Sequence, residues 1–223
     1  MEMIIAKSEL QAFPYYQNYI DLTRLEISAI SAIDTRPIKN IAFIGSGPLP
    51  LSSLCLIDQL NIFSETKQRS NLGLLGWIQN FLGFGTKQGI RVVNIDHCPA
   101  AIEMSTALCN SLGPSAHGIE HSVSDAISSY DLRDFDVIFL AALVGANQAE
   151  KEEILRSVTA RMREGALVVI RSVNGMRELC YPVFEGGSEG VGEYIEVGVT
   201  VHPGGEVVNS VVVGRVKAFG GRK

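Results

Sequence analysis

The chain has 223 residues, a hydrophobic fraction of 46%, a charged fraction of 19% and a net charge of −5. That length holds one α/β domain with a small appendage, and the composition fills a core and excludes a disordered chain. The acidic balance excludes a general attraction to nucleic acid, leaving only local basic patches open.

The start, MEMIIAKSEL, lacks the long apolar run of a secretory signal, and no stretch reaches the length of a membrane span, so the cytoplasm is the expected compartment. From Pro14 to Ile33 the spacing predicts a helix, with Leu22, Leu25, Ala29, Ile30 and Ile33 as its apolar stripe. A polar break follows, then a buried-strand pattern over 41–44 that ends in Gly45-Ser46-Gly47-Pro48 and leads into a helix from Leu51 to Leu60. The stretch 61–89 opens polar and turns apolar and Gly-rich around Trp77 and Phe81. It is expected as an inserted loop with a short helix, packing on its own domain or meeting a partner or membrane surface.

The βα rhythm then resumes, with a strand over 90–95 ending in Asp96, a helix over 99–112 and a short strand over 118–123 before Asp125. A strand over 136–140, a helix over 148–163 and a strand over 166–170 complete it. The tail alternates over 194–201 and 207–216, like an antiparallel hairpin. Together these predict an α/β fold: a Rossmann-like doubly wound sheet, mostly parallel, with a C-terminal antiparallel hairpin.

Several residues carry chemical meaning. Gly45, Ser46, Gly47 and Pro48 follow a strand and open a helix, where a backbone free of Cβ atoms can approach a ligand. Pro50 stands where the dinucleotide fingerprint needs its third glycine, which favours the looser nucleoside turn of S-adenosylmethionine enzymes over NAD. Asp96, at the second strand end, is expected to accept from ribose hydroxyls, and Asp125, past the third, from the adenine amino group. For either alone, a loop cap is the other reading. Glu26 shares the apolar face of the first helix. A carboxylate there is desolvated and so a better proton acceptor near neutral pH, or else the half of a buried ion pair. Tyr19 and Tyr15 lie on the same face if the helix extends that far. Arg171 closes the fifth strand and Arg177 follows; either can hold a substrate carboxylate through two hydrogen bonds.

The four histidines, at 97, 117, 121 and 202, show no metal spacing, and no metal is assigned. Cys55, Cys98, Cys109 and Cys180 form no CxxC pair and are expected as small core residues or free thiols.

These motifs converge on a known family. The run from Phe13 to Glu26, the loop over 41–51 (IAFIGSGPLPL), the stretch over 139–145 (FLAALVG), the segment over 170–177 with Tyr181-Pro182-Val183, and the closing hairpin resemble nicotianamine synthases over most of the chain. Plant members carry a long N-terminal helical region that closes over the site, and residues 1–36 are expected as a short remnant of that lid, before a Rossmann-like domain over 37–223. Asn174 stands where plant members usually have His.

The resemblance implies S-adenosylmethionine as substrate, with no metal or other cofactor, in a reaction that joins aminocarboxypropyl groups, three per nicotianamine, and releases methylthioadenosine. It implies Glu26, helped by Tyr19 or Tyr15, as the base; a nucleoside site of Gly45, Ser46, Gly47, Pro48, Asp96, Asp125 and Ala142; and Arg171 and Arg177 on carboxylates. Small molecules are the expected partners, with assembly of like subunits left open. The rivals are an S-adenosylmethionine-dependent methyltransferase and a nucleoside-binding remnant without turnover.

Overall fold

A computed structural model describes residues 10–71 (without the side chains of 63–71), 89–127, 130–141, 145, 147–172, 184, 186–203 and 209–218. In chain order the elements are α1 (Tyr16–Ile33), β1 (Asn40–Ile44), α2 (Leu51–Asn71), β2 (Arg91–Asp96), α3 (Pro99–Leu112) and β3 (Ile119–Val123). They continue with β4 (Val137–Leu140), α4 (Gln148–Thr159), β5 (Leu167–Ser172), α5 (Glu189–Tyr194), β6 (Ile195–Val201) and β7 (Ser210–Val216).

Aliphatic runs without alternation make strands that are covered on both faces. β1, β2, β4 and β5 are such runs, buried over nearly their whole length, and they form the centre of one seven-stranded sheet. The order is β3-β2-β1-β4-β5-β7-β6, with β1 to β5 parallel and β7 antiparallel to both β5 and β6. Exposed and covered residues alternate along the edge strand β6, as one solvated face requires. Chain order reverses between β1 and β4, and sheets of this kind open their ligand crevice at the strand carboxyl ends beside that reversal.

Two apolar layers flank the sheet. One packs α1 and α2, through Leu22, Ile27, Ile30, Leu56 and Leu60, onto Ile41, Phe43, Phe139, Val169 and Val211. The other packs Leu155 and Val158 of α4 and Val191 of α5 onto Ala42, Ile138, Val168 and Val212. The last turn of α1 reaches as far as β6. A Cβ at Gly198 would stand 2.8 Å from Ile33 Cγ2, and Gly198 lies where the β6–β7 register shifts, between Val197 and Val199.

The elements differ from the sequence reading in a few places. α2 continues to Asn71, through the first eleven residues of the stretch expected as an inserted loop with a short helix. Once a helix is nucleated, a polar stretch containing good helix formers such as Glu65, Lys67, Gln68 and Arg69 extends it without an apolar stripe. The rest of the apolar insertion, 72–88, lies outside the described residues. α4 stops at Thr159, because Met162 bridges to Leu132 and Arg161 turns to the carbonyl of Tyr130. α5 was not anticipated; Ser188 caps it by accepting from the Val191 N–H. Cys55 and Cys109 are buried and Cys98 is exposed, while Cys180 lies outside the described residues.

Candidate active site

The turn after β1 holds the expected glycines in left-handed backbone conformations, Gly45 at φ 76° and Gly47 at φ 67°. Gly45 and Ser46 donate their N–H groups to the Ile95 carbonyl, which ties the turn to the end of β2. Gly47 donates to Asp96 Oδ2 at 2.8 Å, and Asp96 Oδ1 accepts from the Cys98 N–H at 2.9 Å. Asp96 thus joins the glycine turn to the entry of α3 and is 8% exposed. A Cβ at Gly47 would meet nothing within 4 Å, so the glycine serves the backbone angle and the open space beside it. The Ser46 hydroxyl is buried and has no partner among the described residues. Pro48 is exposed at the rim of the turn.

On the other side of the switch point, α1 and β5 meet through charge. Glu26 is fully buried on the face of α1 that covers the sheet, the face on which the helical spacing placed it. Arg171, 7% exposed, donates from Nε to Glu26 Oε1 at 2.6 Å and from Nη2 to Oε2 at 3.1 Å. Its Nη1 donates to Ser52 Oγ at 2.7 Å, in the first turn of α2. The guanidinium lies 4.8 Å from the centroid of the Phe43 ring, which stacks on Phe139. The two residues expected to act separately, one as a base and one as a carboxylate clamp, are therefore each other's partner. An ionised carboxylate and a guanidinium inside an apolar layer persist only when paired in this way.

A guanidinium carries five N–H donors. Glu26 takes the edge formed by Nε and Nη2, and Ser52 takes one donor of Nη1. Among the described residues, nothing takes the remaining N–H of Nη1 or of Nη2. These two donors remain for a second acceptor, such as a carboxylate.

The other expected residues fall as follows. α1 begins at Tyr16, so Tyr15 lies outside the helix; it is 62% exposed, with its ring edge-on to Phe13 at 5.8 Å. Tyr19 is half-buried, two turns up the helix from Glu26, about 10 Å along the axis. Asp125 is exposed and takes the Ile127 N–H at 2.9 Å, closing a local turn. Ala142 and Arg177 lie outside the described residues, as do Asn174 and Tyr181.

Sequence reasoning missed four polar residues of this layer. Ser52 holds Arg171, and Ser53 donates to Asn94 Oδ1 at 2.5 Å, with Asn94 fully buried in β2. Thr23, also fully buried, has no partner for its hydroxyl among the described residues. A single Asn inside an otherwise aliphatic strand was the signal available for this cluster. A fifth residue, Tyr16, faces α2: burial first, then Cys55 and Asp58, push its phenol above the ordinary value.

The chain superposes on solved structures over most of its length. The N-methyltransferase NodS from Bradyrhizobium japonicum, in complex with S-adenosyl-L-homocysteine, superposes with a TM-score of 0.58 at 13% identity, covering 93% of this chain and 90% of that one. The fold is thus the Rossmann-like α/β fold of the S-adenosylmethionine-dependent methyltransferase type. A family model described as nicotianamine synthase protein matches residues 5–219, and nicotianamine synthase 3 of Arabidopsis thaliana is 33% identical over 208 residues. The chain belongs to the nicotianamine synthase family. That alignment covers 92% of this chain and 56% of the relative, so the chain spans about half the length of the curated relatives it matches. A glutamate-to-glutamine mutant of MtNAS, in complex with S-adenosylmethionine, superposes with a TM-score of 0.66 at 23% identity, covering 93% of this chain and 65% of that one.

Proposed function

We propose that the chain condenses aminocarboxypropyl groups from S-adenosylmethionine, three per nicotianamine, and releases methylthioadenosine. The observation that carries this reading beyond the fold is the buried Glu26–Arg171 pair, set on the methionine side of a glycine turn suited to a nucleoside. Methyl transfer to an acceptor with no proton to lose gives no reason for a buried carboxylate in this place. Aminocarboxypropyl transfer needs both, a base for the attacking amine and a clamp for amino-acid carboxylates.

The nucleoside lies against Gly45, Ser46, Gly47 and Pro48, with Asp96 beside the ribose and Asp125 and Ala142 toward the adenine. The left-handed turn and the Ser46 hydroxyl, which has no partner among the described residues, support this placement. β5 lies two strands from β1, about 10 Å away, so a methionine portion crossing the switch point reaches Arg171. Arg171 and Arg177 hold carboxylates. Glu26 takes the proton of the attacking amine, with Tyr19 contacting the substrate from farther up the helix. Tyr15, exposed and off the helix, is left out of this constellation. The amine nitrogen bonds to Cγ while the Cγ–S bond breaks. Sulfur keeps the electron pair and leaves as neutral methylthioadenosine. No metal enters any step.

The test is incubation with S-adenosylmethionine alone, followed by mass spectrometry. Methylthioadenosine with masses raised by aminocarboxypropyl units is expected; S-adenosylhomocysteine would mean methyl transfer instead, and binding without either product would mean a nucleoside-binding remnant.

A further inference from the structure

A buried pair of opposite charges is neutral as a unit, and any third charge brought against it must itself arrive neutralised. The Glu26–Arg171 pair meets that condition with one kind of ligand. Arg171 keeps one donor on Nη1 and one on Nη2 without a partner among the described residues, while Glu26 holds the edge formed by Nε and Nη2 at 2.6 and 3.1 Å. A carboxylate alone would add an uncompensated negative charge beside Glu26. An amine alone would add a positive charge beside Arg171. A zwitterionic amino acid adds neither.

We propose that the Glu26–Arg171 pair is opened by partner exchange with a zwitterionic amino-acid substrate: the substrate carboxylate takes over Arg171, and Glu26, released, pairs with the substrate ammonium whose proton it accepts. Glu26 is then a stand-in for the substrate carboxylate in the free protein and a base only when that carboxylate has arrived. The exchange converts one neutral pair into two, so the amino-acid portion of the substrate adds no net charge to the pair; the sulfonium lies outside it. Ser52 keeps Arg171 in register during the exchange, because its bond to Nη1 involves neither carboxylate. Phe43 supports the same guanidinium from its face at 4.8 Å. The selection is for molecules that carry both groups, and it precedes the chemistry.

This inference rests on the nucleoside reading above, and the experiment separates the two. Calorimetric affinities are measured for methylthioadenosine, for S-adenosylmethionine, and for its decarboxylated form, which keeps the amine and lacks the carboxylate. The proteins are the unmodified chain, Glu26→Gln and Glu26→Asp. The ratio of S-adenosylmethionine affinity to that of the decarboxylated form isolates the carboxylate contact, because the ammonium is common to both.

Partner exchange makes Glu26 a competitor for that contact, so the ratio is expected to rise about tenfold to a hundredfold in Glu26→Gln, the worth of hydrogen bonds to a charged group. It is expected to rise less in Glu26→Asp, which keeps the charge and so the fold but reaches Arg171 less well. Methylthioadenosine affinity should stay the same in all three proteins. A ratio that is unchanged or lower in both variants, with methylthioadenosine still bound, overturns the exchange and makes Glu26 a fixed support for Arg171. Failure of the unmodified protein to bind methylthioadenosine overturns the nucleoside reading itself.

Discussion

Glu26 on α1 and Arg171 on β5 are 145 residues apart in the chain, yet they close a bidentate ion pair in which the carboxylate is wholly buried. Arg171→Met should leave that carboxylate without its counter-charge, at a cost of about 3–5 kcal/mol in unfolding free energy. The double variant Glu26→Gln/Arg171→Met should recover most of the loss, since a neutral amide beside Met carries no stranded charge. Urea unfolding of the single and double variants measures this; equal losses in both would show that the pair is not coupled.

Glu26→Gln separates a chemical role from a scaffolding one. Turnover per folded molecule should fall about 10²–10⁴-fold, the usual contribution of a general base, while methylthioadenosine still binds. A variant that is less stable but equally fast would return Glu26 to the scaffold.

Asp96 holds the Gly47 and Cys98 N–H groups together at the ends of β1 and β2. Asp96→Ala should weaken methylthioadenosine binding by about 1.5–3 kcal/mol, through the lost charged acceptor and the loosened turn. Calorimetry on the folded variant checks this, and unchanged affinity would remove Asp96 from the site.

Asp34 lies at the opposite end of the sheet. Hydrogen bonds from Arg36, foremost, and from Arg215 hold its carboxyl well below the usual carboxylate range, against the opposing effect of burial. A lowered folded value means that this stabilisation is complete above the unfolded value of about 4 and is lost as the pH falls below it toward the folded one. Arg36 is mostly exposed, so the contribution is about 1 kcal/mol at most. The urea midpoint of Asp34→Asn should therefore depend less on pH between about 5 and 2 than that of the unmodified chain; identical slopes would refute the assignment.

Among the described residues, no three His, Cys, Asp or Glu side chains gather in a way that could hold a metal ion. Treatment with EDTA should leave turnover intact. Loss of activity restored by one specific metal would reveal a metal site.

Much of the architecture was legible because it rests on local patterns. The aliphatic runs of β1, β2, β4 and β5, the glycine turn and the placing of Asp96 follow from short-range periodicity and backbone sterics. The start of α1 and the length of α2 were less legible, because helix ends depend on caps and on extension through polar residues that leave no periodic trace. Ser52 and Thr23 were missed for a related reason: small hydroxyl residues sit comfortably on either face of a helix, and only the neighbours of a face assign them a task.

The sequence by itself determined that Glu26 faces an apolar layer, since a period of 3.6 residues puts it there whatever the helix packs against. It also determined that Arg171 stands near the crevice end of a buried strand. Only the tertiary structure decided that the two meet, that Ser52 steadies the arginine, and that two of its donors are left over among the described residues. These contacts depend on how α1 and α2 cross the sheet, and that crossing is set by the packing of Leu22, Ile27 and Ile30 against Phe43, Val169 and Val211. Periodicity gives the direction of a side chain from its own helix or strand, but the partner it finds comes from the summed packing of elements far apart in the chain.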